Sequence, residues 1–329
     1  MKSLAIKAVA GLLLVLVLFL AIFLIVRNPS FFDQRGVFGP IEEEAWRFEE
    51  DVGELAEKAK ILFGGDLMFD RHIRFFAEEK GYEFVFADLE GLFSGYDLVV
   101  ANLEGPITDN PSVSLGTVPG TPENFIFTFD PRVAPLLTNH NISVVCLGNN
   151  HILNFGQTGL EATRRYLSRA GVDFFGFAGD DENRTLVRKV GSLSFGFANY
   201  NQFQEGGLLA AQEDIASLKG RVDWLILYAH WGNEYQPQAG PAIEELARDF
   251  IDRGVDLIIG SHPHVIQQKE IYRDKIIYYS LGNFVFDQYF SPEVTRGLLV
   301  GLEIDRSTGV IDIREWPIIM LPGGQTTLD

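Results

Sequence analysis

The sequence predicts an α/β fold preceded by a membrane-spanning helix. Two observations predict it: short apolar runs alternate with amphipathic stretches from residue 60 onward, and an uncharged apolar segment stands near the amino end. The 329 residues are 47% hydrophobic and 22% charged. This composition can fill a substantial core and excludes a mainly disordered chain. A chain of this length forms one large domain or two small ones.

The amino end is predicted to be an uncleaved transmembrane anchor, residues 1–27. Residues 8–26 carry no charge, and at about 1.5 Å per residue they nearly span a hydrocarbon core of about 30 Å. The alternative is a cleaved signal peptide, whose apolar region is usually only about 7–15 residues long. Two lysines precede the segment and Arg27 and Arg35 follow it, which weakly favours an internal amino end. We therefore expect a single-pass protein of the cell membrane with an extracytoplasmic soluble domain.

Composition also predicts the boundaries of the remaining segments of the chain. Residues 28–59 are polar after a break at Pro29, so we interpret them as a juxtamembrane tether. The soluble domain is expected to span residues 60–320, and residues 321–329 are expected to form a carboxyl-terminal tail.

Five apolar runs are predicted to be buried parallel strands, uniformly apolar because helices cover both faces of such a sheet. The runs are residues 61–63, 98–101, 144–147, 225–229 and 257–259. Amphipathic stretches between the runs predict helices. These stretches are near residues 71–80, 131–140, 157–170, 211–218 and 241–253.

Polar side chains follow each predicted strand. In chain order they are Asp66, then Glu104, then Asn150 and His151, then His230, and finally His262 and His264. Ligands of open α/β sheets bind beyond the carboxyl ends of the strands, so we expect these residues along one edge. Four of the six histidines in the chain belong to this set. His72 and His140 lie outside it and are interpreted as exposed or locally hydrogen-bonded.

Taken singly, each of these residues has a structural alternative. Asp66 after two glycines is also typical of a turn or a helix cap, and His230 is also compatible with a core histidine. Together, carboxylates, an amide and imidazoles without a thiolate suit one or two divalent ions, Mn²⁺, Fe or Zn²⁺, rather than Ca²⁺. Two such ions bridged by a carboxylate would activate water and neutralise a phosphoryl oxyanion.

The net charge excludes one class of binding partner, and the cysteine count excludes two kinds of site. With 27 Lys and Arg against 45 Asp and Glu, the net charge is −18, and nucleic acid is excluded as a partner because its binding depends on cationic contacts to phosphate. The single cysteine, Cys146, excludes an internal disulfide and a multi-thiolate zinc site. It lies in a predicted buried strand, so we interpret it as a core residue rather than a nucleophile.

Six ordered motifs between about residue 60 and residue 317 resemble the capsule-synthesis CapA family. They are Gly65-Asp66-Leu67-Met68 with Arg71, Ala101-Asn102-Leu103-Glu104, Asn149-Asn150-His151, His230-Trp231-Gly232-Asn233-Glu234-Tyr235, Gly260-Ser261-His262-Pro263-His264 and Ser280-Leu281-Gly282-Asn283-Phe284-Val285-Phe286-Asp287-Gln288. The resemblance implies a calcineurin-like metallophosphoesterase fold, a two-sheet β-sandwich flanked by helices in the order α/β/β/α. It also implies a membrane-anchored protein that makes, exports or attaches poly-γ-glutamate at a bacterial cell surface.

The resemblance also implies roles for individual residues. One metal would be held by Asp66, Glu104 and His264, and a second by Glu104, Asn150, His230 and His262. His151 matches the histidine that protonates the leaving group. Arg71 is expected to clamp a carboxylate or phosphate, with a surface salt bridge as the alternative.

Three positions depart from the pattern that the resemblance implies. Met68 stands where a histidine ligand is expected, and Glu104 replaces an aspartate, so we expect one metal position to be altered or empty. Asn154 stands three positions after His151, where CapA-like chains often have an acidic residue. Asn283 and Asp287 are expected either to close the wall of the pocket or only to shape a loop.

Three functions remain open from the sequence. The first is a CapA-like role in the production of an anionic polymer such as poly-γ-glutamate, with other capsule-synthesis subunits as possible partners. The −18 charge opposes it, and divalent ions or a patch of Arg71, Arg296 or Lys275 would have to offset that charge. The second is a metal-dependent phosphoesterase, a hydrolase of phosphorylated lipid or wall intermediates. The third is a non-catalytic subunit of an export complex.

Overall fold

Two β-sheets pack face to face, and helices cover the outer face of each. The computed structural model describes residues 58–177, 179 and 182–329, all of which belong to one compact unit. The α/β class and the α/β/β/α layering are therefore confirmed. The predicted anchor and nearly all of the predicted tether, residues 1–57, lie outside the described residues. Within the described part, no helix has the length and apolar character needed to cross a membrane.

The first sheet has eight strands. They are β1 (Lys58–Leu67), β2 (Leu98–Leu103), β3 (Ile142–Cys146), β4 (Asp173–Phe175), β11 (Asn283–Val285), β12 (Arg296–Asp305), β13 (Val310–Met320) and β14 (Thr326–Leu328). Their order is β14-β13-β12-β1-β2-β3-β4, and β11 also pairs with β1. Strands β1 to β4 are parallel, whereas β12 joins β1 in antiparallel fashion.

The second sheet has six strands. They are β5 (Leu186–Val190), β6 (Leu193–Asn201), β7 (Trp224–His230), β8 (Leu257–Ser261), β9 (Lys269–Tyr272) and β10 (Lys275–Tyr278), in the order β5-β6-β7-β8-β10-β9. Strands β6, β7, β8 and β10 run parallel. All five strands predicted from the apolar runs are present, but the first three lie in the first sheet and the last two in the second.

Among the described residues, five of the six α-helices agree with the predicted amphipathic stretches, whereas the short helix Glu90–Phe93 matches none of them. They are α1 (Arg71–Lys80), α2 (Glu90–Phe93), α3 (Val133–Asn139), α4 (Gly156–Ala170), α5 (Gly207–Leu218) and α6 (Pro241–Arg253). Local chemistry sets their ends. The Asp70 carboxylate accepts from the Arg71 N–H at the start of α1, and Pro241 occupies the first turn of α6. Gly171 ends α4 in the left-handed conformation.

Three apolar clusters separate the layers. The central cluster fills the space between the sheets with side chains such as Phe63, Phe197 and Tyr228. The Tyr228 hydroxyl, on the second sheet, donates to the Val100 carbonyl of the first sheet at 2.9 Å. Large buried rings and this buried hydrogen bond hold the two sheets in one relative position.

The carboxyl terminus contains a strand where a tail was expected. Within residues 321–329, Thr326–Leu328 forms β14, which pairs with the edge strand β13. The Thr326 hydroxyl is buried and donates to the Phe284 carbonyl at 2.8 Å. Three residues are too few for an alternating pattern to be visible in sequence, so only pairing with the available edge defines this strand.

Candidate metal centre

The carboxyl ends of the parallel strands of both sheets meet at one place. The backbone N–H of His262, just after β8, donates to Oδ2 of Asp66 on β1 at 3.0 Å. The amide nitrogen of Asn102 on β2 lies 3.4 Å from Nδ1 of His230 at the end of β7. Residues from two different sheets therefore face one another across a shared polar centre.

Two groups of potential metal ligands share one carboxylate. The first ligand group is Asp66, Glu104 and His264, and the second ligand group is Glu104, His230 and His262. Within each group the ligand atoms all lie within 4.8 Å of one another. All five residues are buried. Each group has one shared carboxylate and at least one imidazole, a donor set that suits a divalent transition metal.

Asn150 and His151 border these groups. Oδ1 of Asn150 lies 2.9 Å from Nε2 of His230, and Nε2 of His151 lies 3.9 Å from Oε1 of Glu104. The Asn154 amide nitrogen donates to the Phe125 carbonyl at 2.7 Å and lies 3.2 Å from Nδ1 of His151. Because this amide presents its nitrogen, Nδ1 of His151 is the acceptor and Nε2 carries the hydrogen that faces Glu104.

Arg71 is engaged outside the ligand groups. Its guanidinium forms an ion pair with Asp287 and donates to Oδ1 of Asn124 at 3.2 Å. Phe127 and Phe286 hold it at 5.0 and 5.4 Å from their ring centroids. It lines a cleft of about 570 Å³ together with Tyr235, Asp287 and Gln288.

Met68 is buried and supplies no ligand to either group. Its sulfur accepts a hydrogen bond from the Asp70 N–H at 3.0 Å. The sulfur is therefore already engaged with the backbone at the start of α1, and the position where a histidine was expected contributes no imidazole.

The sequence reasoning did not select the asparagines that orient the ligands. Nδ2 of Asn102 donates to Oδ1 of Asp66 at 2.7 Å, and Nδ2 of Asn149 donates to Oδ1 of Asn102 at 3.1 Å. Oδ1 of Asn283, which was expected only to form a wall or shape a loop, lies 2.9 Å from Nδ1 of His264. Such supporting hydrogen bonds hold ligand side chains in position. All three asparagines lie within the motifs that carry the resemblance, and this was the signal available in the sequence.

Glu234 is a further residue that the sequence reasoning did not select. A carboxylate oxygen of Glu234 and a ring nitrogen each of His262 and His264 form a third group within 4.8 Å. Glu234 follows β7 by four residues and is half-buried. Its place in the motif that begins at His230 was the available signal.

Strained backbone concentrates at this centre. Arg71, Tyr235, His262 and His264 have positive φ angles of 51°, 62°, 93° and 59°. Non-glycine residues in this region cost of the order of 1–3 kcal/mol each and persist only where surrounding contacts enforce them. Such clustering is typical of functional sites.

Buried polar atoms without partners provide a test of whether a metal fits. Among the residues that the structure describes, neither carboxylate oxygen of Glu104 has a hydrogen-bond partner, and neither does Nδ1 of His262. Both side chains are buried, Glu104 completely. An unpaired buried carboxylate is costly, and a cation within reach would offset that cost. These donors therefore fit a divalent metal ion.

Burial also sets the protonation of the ligands. It raises the pKa of Asp66 to about 6. Burial and the nearby Asp66 charge raise the pKa of Glu104 well above its usual value. Burial lowers the pKa of His262 to about 4, that of His264 to about 3, and that of His230 well below its usual value. The imidazoles are therefore neutral at pH 7, the form that binds metal ions.

Sequence comparison connects this site to known proteins. The family described as "Bacterial capsule synthesis protein PGA_cap" matches residues 60–288. The capsule biosynthesis protein CapA of Bacillus anthracis is 27% identical over 278 residues, covering 78% of this chain and 67% of the relative. The PGA biosynthesis protein CapA of Bacillus subtilis (strain 168) is 27% identical over 243 residues, covering 69% of this chain and 63% of the relative. The chain thus spans roughly two thirds of the length of these relatives.

A solved structure also shows a distant likeness. Sulfate thiohydrolase SoxB of Thermus thermophilus aligns with a TM-score of 0.43 and 12% identity, covering 82% of this chain and 56% of that one. At this TM-score the likeness carries no argument about function. The family match, in contrast, covers more than half of the chain and includes every residue of the three ligand groups. The chain therefore belongs to the bacterial capsule synthesis protein PGA_cap family, as its resemblance to CapA predicted.

Proposed function

We propose that this protein is a membrane-anchored, CapA-like protein that acts in the synthesis, export or attachment of poly-γ-glutamate at the cell surface. The observation that carries the proposal is that both predicted ligand groups lie within the family match over residues 60–288. The names of the two Bacillus relatives, for capsule and PGA biosynthesis, support the same process. In this proposal residues 1–27 form the anchor and the described domain is extracytoplasmic.

A divalent metal centre is the second part of the proposal. Asp66, Glu104 and His264 would hold one ion, and Glu104, Asn150, His230 and His262 would hold another. Mn²⁺, Fe or Zn²⁺ suits these donors. A bound divalent ion supplies positive charge that attracts and polarises a carboxylate or phosphoryl oxygen. Around it, Asn102 and Asn283 orient Asp66 and His264.

The surface charge makes the metal centre important for a polyanionic ligand. Each cation of the patch considered from the sequence has a carboxylate partner. Arg71 pairs with Asp287, Arg296 pairs with Asp329 at 2.9 Å, and Lys275 pairs with Asp256 at 2.6 Å. Their charges are therefore already compensated. With a net charge of −18, binding of poly-γ-glutamate would depend on bound divalent ions.

One observation favours a second candidate function, a metal-dependent phosphoesterase acting on lipid or cell-wall intermediates. His151 presents the hydrogen on Nε2 toward Glu104, the carboxylate shared by both ligand groups. Burial lowers the pKa of His151 to about 4. The neutral ring can donate a hydrogen bond to a leaving oxygen beside the shared carboxylate, and Asn154 keeps it in the required tautomer.

One experiment separates the two functions. The full chain is purified in detergent and its bound metal measured. Retention of labelled poly-γ-glutamate and hydrolysis of a generic phosphodiester are then assayed, each with Mn²⁺ and with a chelator. The variants are His230→Ala and, as a control, Glu161→Ala, an exposed position on α4.

The outcomes differ for each function. Metal-dependent polymer retention that is lost in His230→Ala, without hydrolysis, supports the proposal. Hydrolysis that is lost in His230→Ala supports the second candidate. Neither function survives if wild type shows no bound metal and no metal dependence. Deleting the gene in its host, followed by measurement of surface poly-γ-glutamate, tests the process itself.

A further inference from the structure

We propose that Glu234 is a ligand of the metal centre, in place of the histidine that Met68 replaces. The inference rests on the proposed function, in which the two ligand groups hold divalent ions. It adds a third carboxylate to the centre, from a loop that neither predicted ligand group includes.

The position of Glu234 is the first argument. Its carboxylate forms a group within 4.8 Å with His262 and His264. His264 belongs to the first ligand group and His262 to the second, so Glu234 reaches both groups, as Glu104 does. Glu104 is completely buried, whereas Glu234 is half-buried. Glu104 therefore contacts the histidine pair from the protein interior, and Glu234 from a position that is partly exposed to solvent.

The loop that carries Glu234 is held against the histidines. The N–H of Tyr235 donates to the Pro263 carbonyl at 2.8 Å, and Tyr235 adopts a left-handed φ of 62°. The Tyr235 hydroxyl accepts a hydrogen bond from Gln288 at 3.1 Å, and Gln288 in turn accepts from Asn283, which contacts His264. This network ties the residue next to Glu234 to the side chain of a predicted ligand.

A strained backbone conformation maintained by such contacts is typical of residues with a functional position. Tyr235 shares this feature with His262 and His264, whose φ angles are 93° and 59°. The Glu234 loop and the histidine loop therefore share this backbone feature, and the hydrogen bond from the Tyr235 N–H to the Pro263 carbonyl joins them.

The incomplete first ligand group and a ring nitrogen without a hydrogen-bond partner supply an independent argument. The first ligand group contains three residues, and Met68 adds no ligand to it, since its sulfur accepts from the Asp70 N–H at 3.0 Å. Nδ1 of His262 is buried and has no hydrogen-bond partner among the described residues. A neutral thioether is a poor ligand for hard or borderline divalent ions, whereas a glutamate carboxylate is a good one. Glu234 is a second carboxylate, besides Glu104, within reach of His262, the histidine whose ring nitrogen lacks a partner.

The test measures metal binding directly and does not use activity. Mn²⁺ is titrated into the full-length, detergent-solubilised chain, free Mn²⁺ is followed by electron paramagnetic resonance, and bound metal is counted after dialysis. The variants are Glu234→Gln and, as a matched control, Glu245→Gln, an exposed glutamate on α6. We expect Glu234→Gln to lose one bound ion or to bind Mn²⁺ at least about tenfold more weakly, and Glu245→Gln to match wild type.

A rescue variant strengthens the test. Met68→His in the Glu234→Gln background should restore Mn²⁺ binding toward the wild-type level, because it returns an imidazole to the first ligand group. Thermal unfolding in chelator establishes that each variant is folded. If the double variant does not fold, Glu234→Gln alone decides the question.

The result that would contradict the role of Glu234 differs from the result that would contradict the proposed function. Wild-type stoichiometry and affinity in folded Glu234→Gln would overturn the role of Glu234 and leave the proposed function standing. A wild-type chain that binds no Mn²⁺, Fe or Zn²⁺ would overturn the metal centre itself, and this inference with it.

Discussion

Oδ1 of Asn283 lies 2.9 Å from Nδ1 of His264. Nδ2 of the same amide donates to the Val294 carbonyl at 2.9 Å, so the oxygen must be the atom that faces the imidazole. His264 therefore carries its hydrogen on Nδ1 and directs the Nε2 lone pair toward Glu104, whose Oε1 is 3.7 Å away. Asn283 stands beside Asp66 in the β1–β11 pairing, so one short strand orients a ligand of the first group.

Removing that support should weaken metal binding. We expect Asn283→Ala to lower the Mn²⁺ affinity of the full chain by about 10- to 100-fold, because His264 loses the partner that sets its tautomer and orientation. Isothermal titration calorimetry measures the change, and Asn139→Ala, at an exposed amide that donates to Glu83 at 2.9 Å, is the control. An unchanged dissociation constant in a folded Asn283→Ala protein would contradict the orienting role.

Glu104→Gln should affect the stability of the metal-free protein and that of the metal-bound protein differently. In chelator, the variant should unfold at the same temperature as wild type or higher, because a neutral amide replaces a buried carboxylate without a partner. A hundredfold excess of Mn²⁺ over its dissociation constant should stabilise wild type by about 2.7 kcal/mol. The same excess should stabilise the variant much less. Thermal unfolding with and without Mn²⁺ tests this, and an equal metal-induced shift in both proteins would refute it.

Metal-induced stabilisation should grow as pH rises from 5 to 7.5. Burial raises the pKa of Asp66 from 3.8 to about 6, so this carboxyl favours the metal-free fold below about pH 4, and the benefit is lost as pH rises through 6. Burial also raises the pKa of Glu104, and protons compete with the metal for both groups. The pKa values of His262 and His264, about 4 and 3, leave these rings neutral throughout the range.

The measurement is the difference in melting temperature between Mn²⁺ and chelator at each pH. We expect a larger difference at pH 7.5 than at pH 5. A difference that stays constant or shrinks with rising pH would show that these carboxylates do not exchange protons for metal.

Gly65→Ala should damage the fold beside Asp66. A Cβ at Gly65 would lie 1.9 Å from the Gly282 carbonyl oxygen, so β1 and the chain before β11 would have to separate. We expect a loss of about 3 kcal/mol or more in the free energy of unfolding. At Gly91 on α2, an added Cβ would meet no neighbouring atom within 4 Å, so Gly91→Ala should be neutral or stabilising by up to about 1 kcal/mol. Chemical denaturation of both variants in chelator compares them, and equal stabilities would disprove the steric argument.

Much of the secondary structure was predictable because its signals are local. The stretch at residues 71–80 coincides with α1, and the one at residues 241–253 with α6. Asp70 and Pro241 mark the starts of these helices by capping chemistry that involves only neighbouring residues. The short strand β14 was not predicted, because it exists only through pairing with β13.

Part of the candidate site was predictable for a related reason. Asp66 and His262 follow apolar runs, and residues that follow parallel strands collect at the carboxyl ends of a sheet. Glu234 lies on a loop and Asn283 begins the three-residue strand β11, and strand periodicity predicts the position of neither residue. Their contacts with His264 come from the packing of segments that are distant in the sequence, which no local pattern specifies.

By itself, the sequence determined the five strands with apolar runs, the five amphipathic helices and the polar residues that follow those strands, because periodicity, capping and turn chemistry act over a few neighbouring residues. Only the tertiary structure decided that the strands divide between two sheets and that the ends of both sheets face each other. The same holds for the pairing of Arg71 with Asp287 across 216 positions and the contact of His262 with Asp66 across 196. Such contacts depend on how whole layers pack, and that packing is a property of the complete chain.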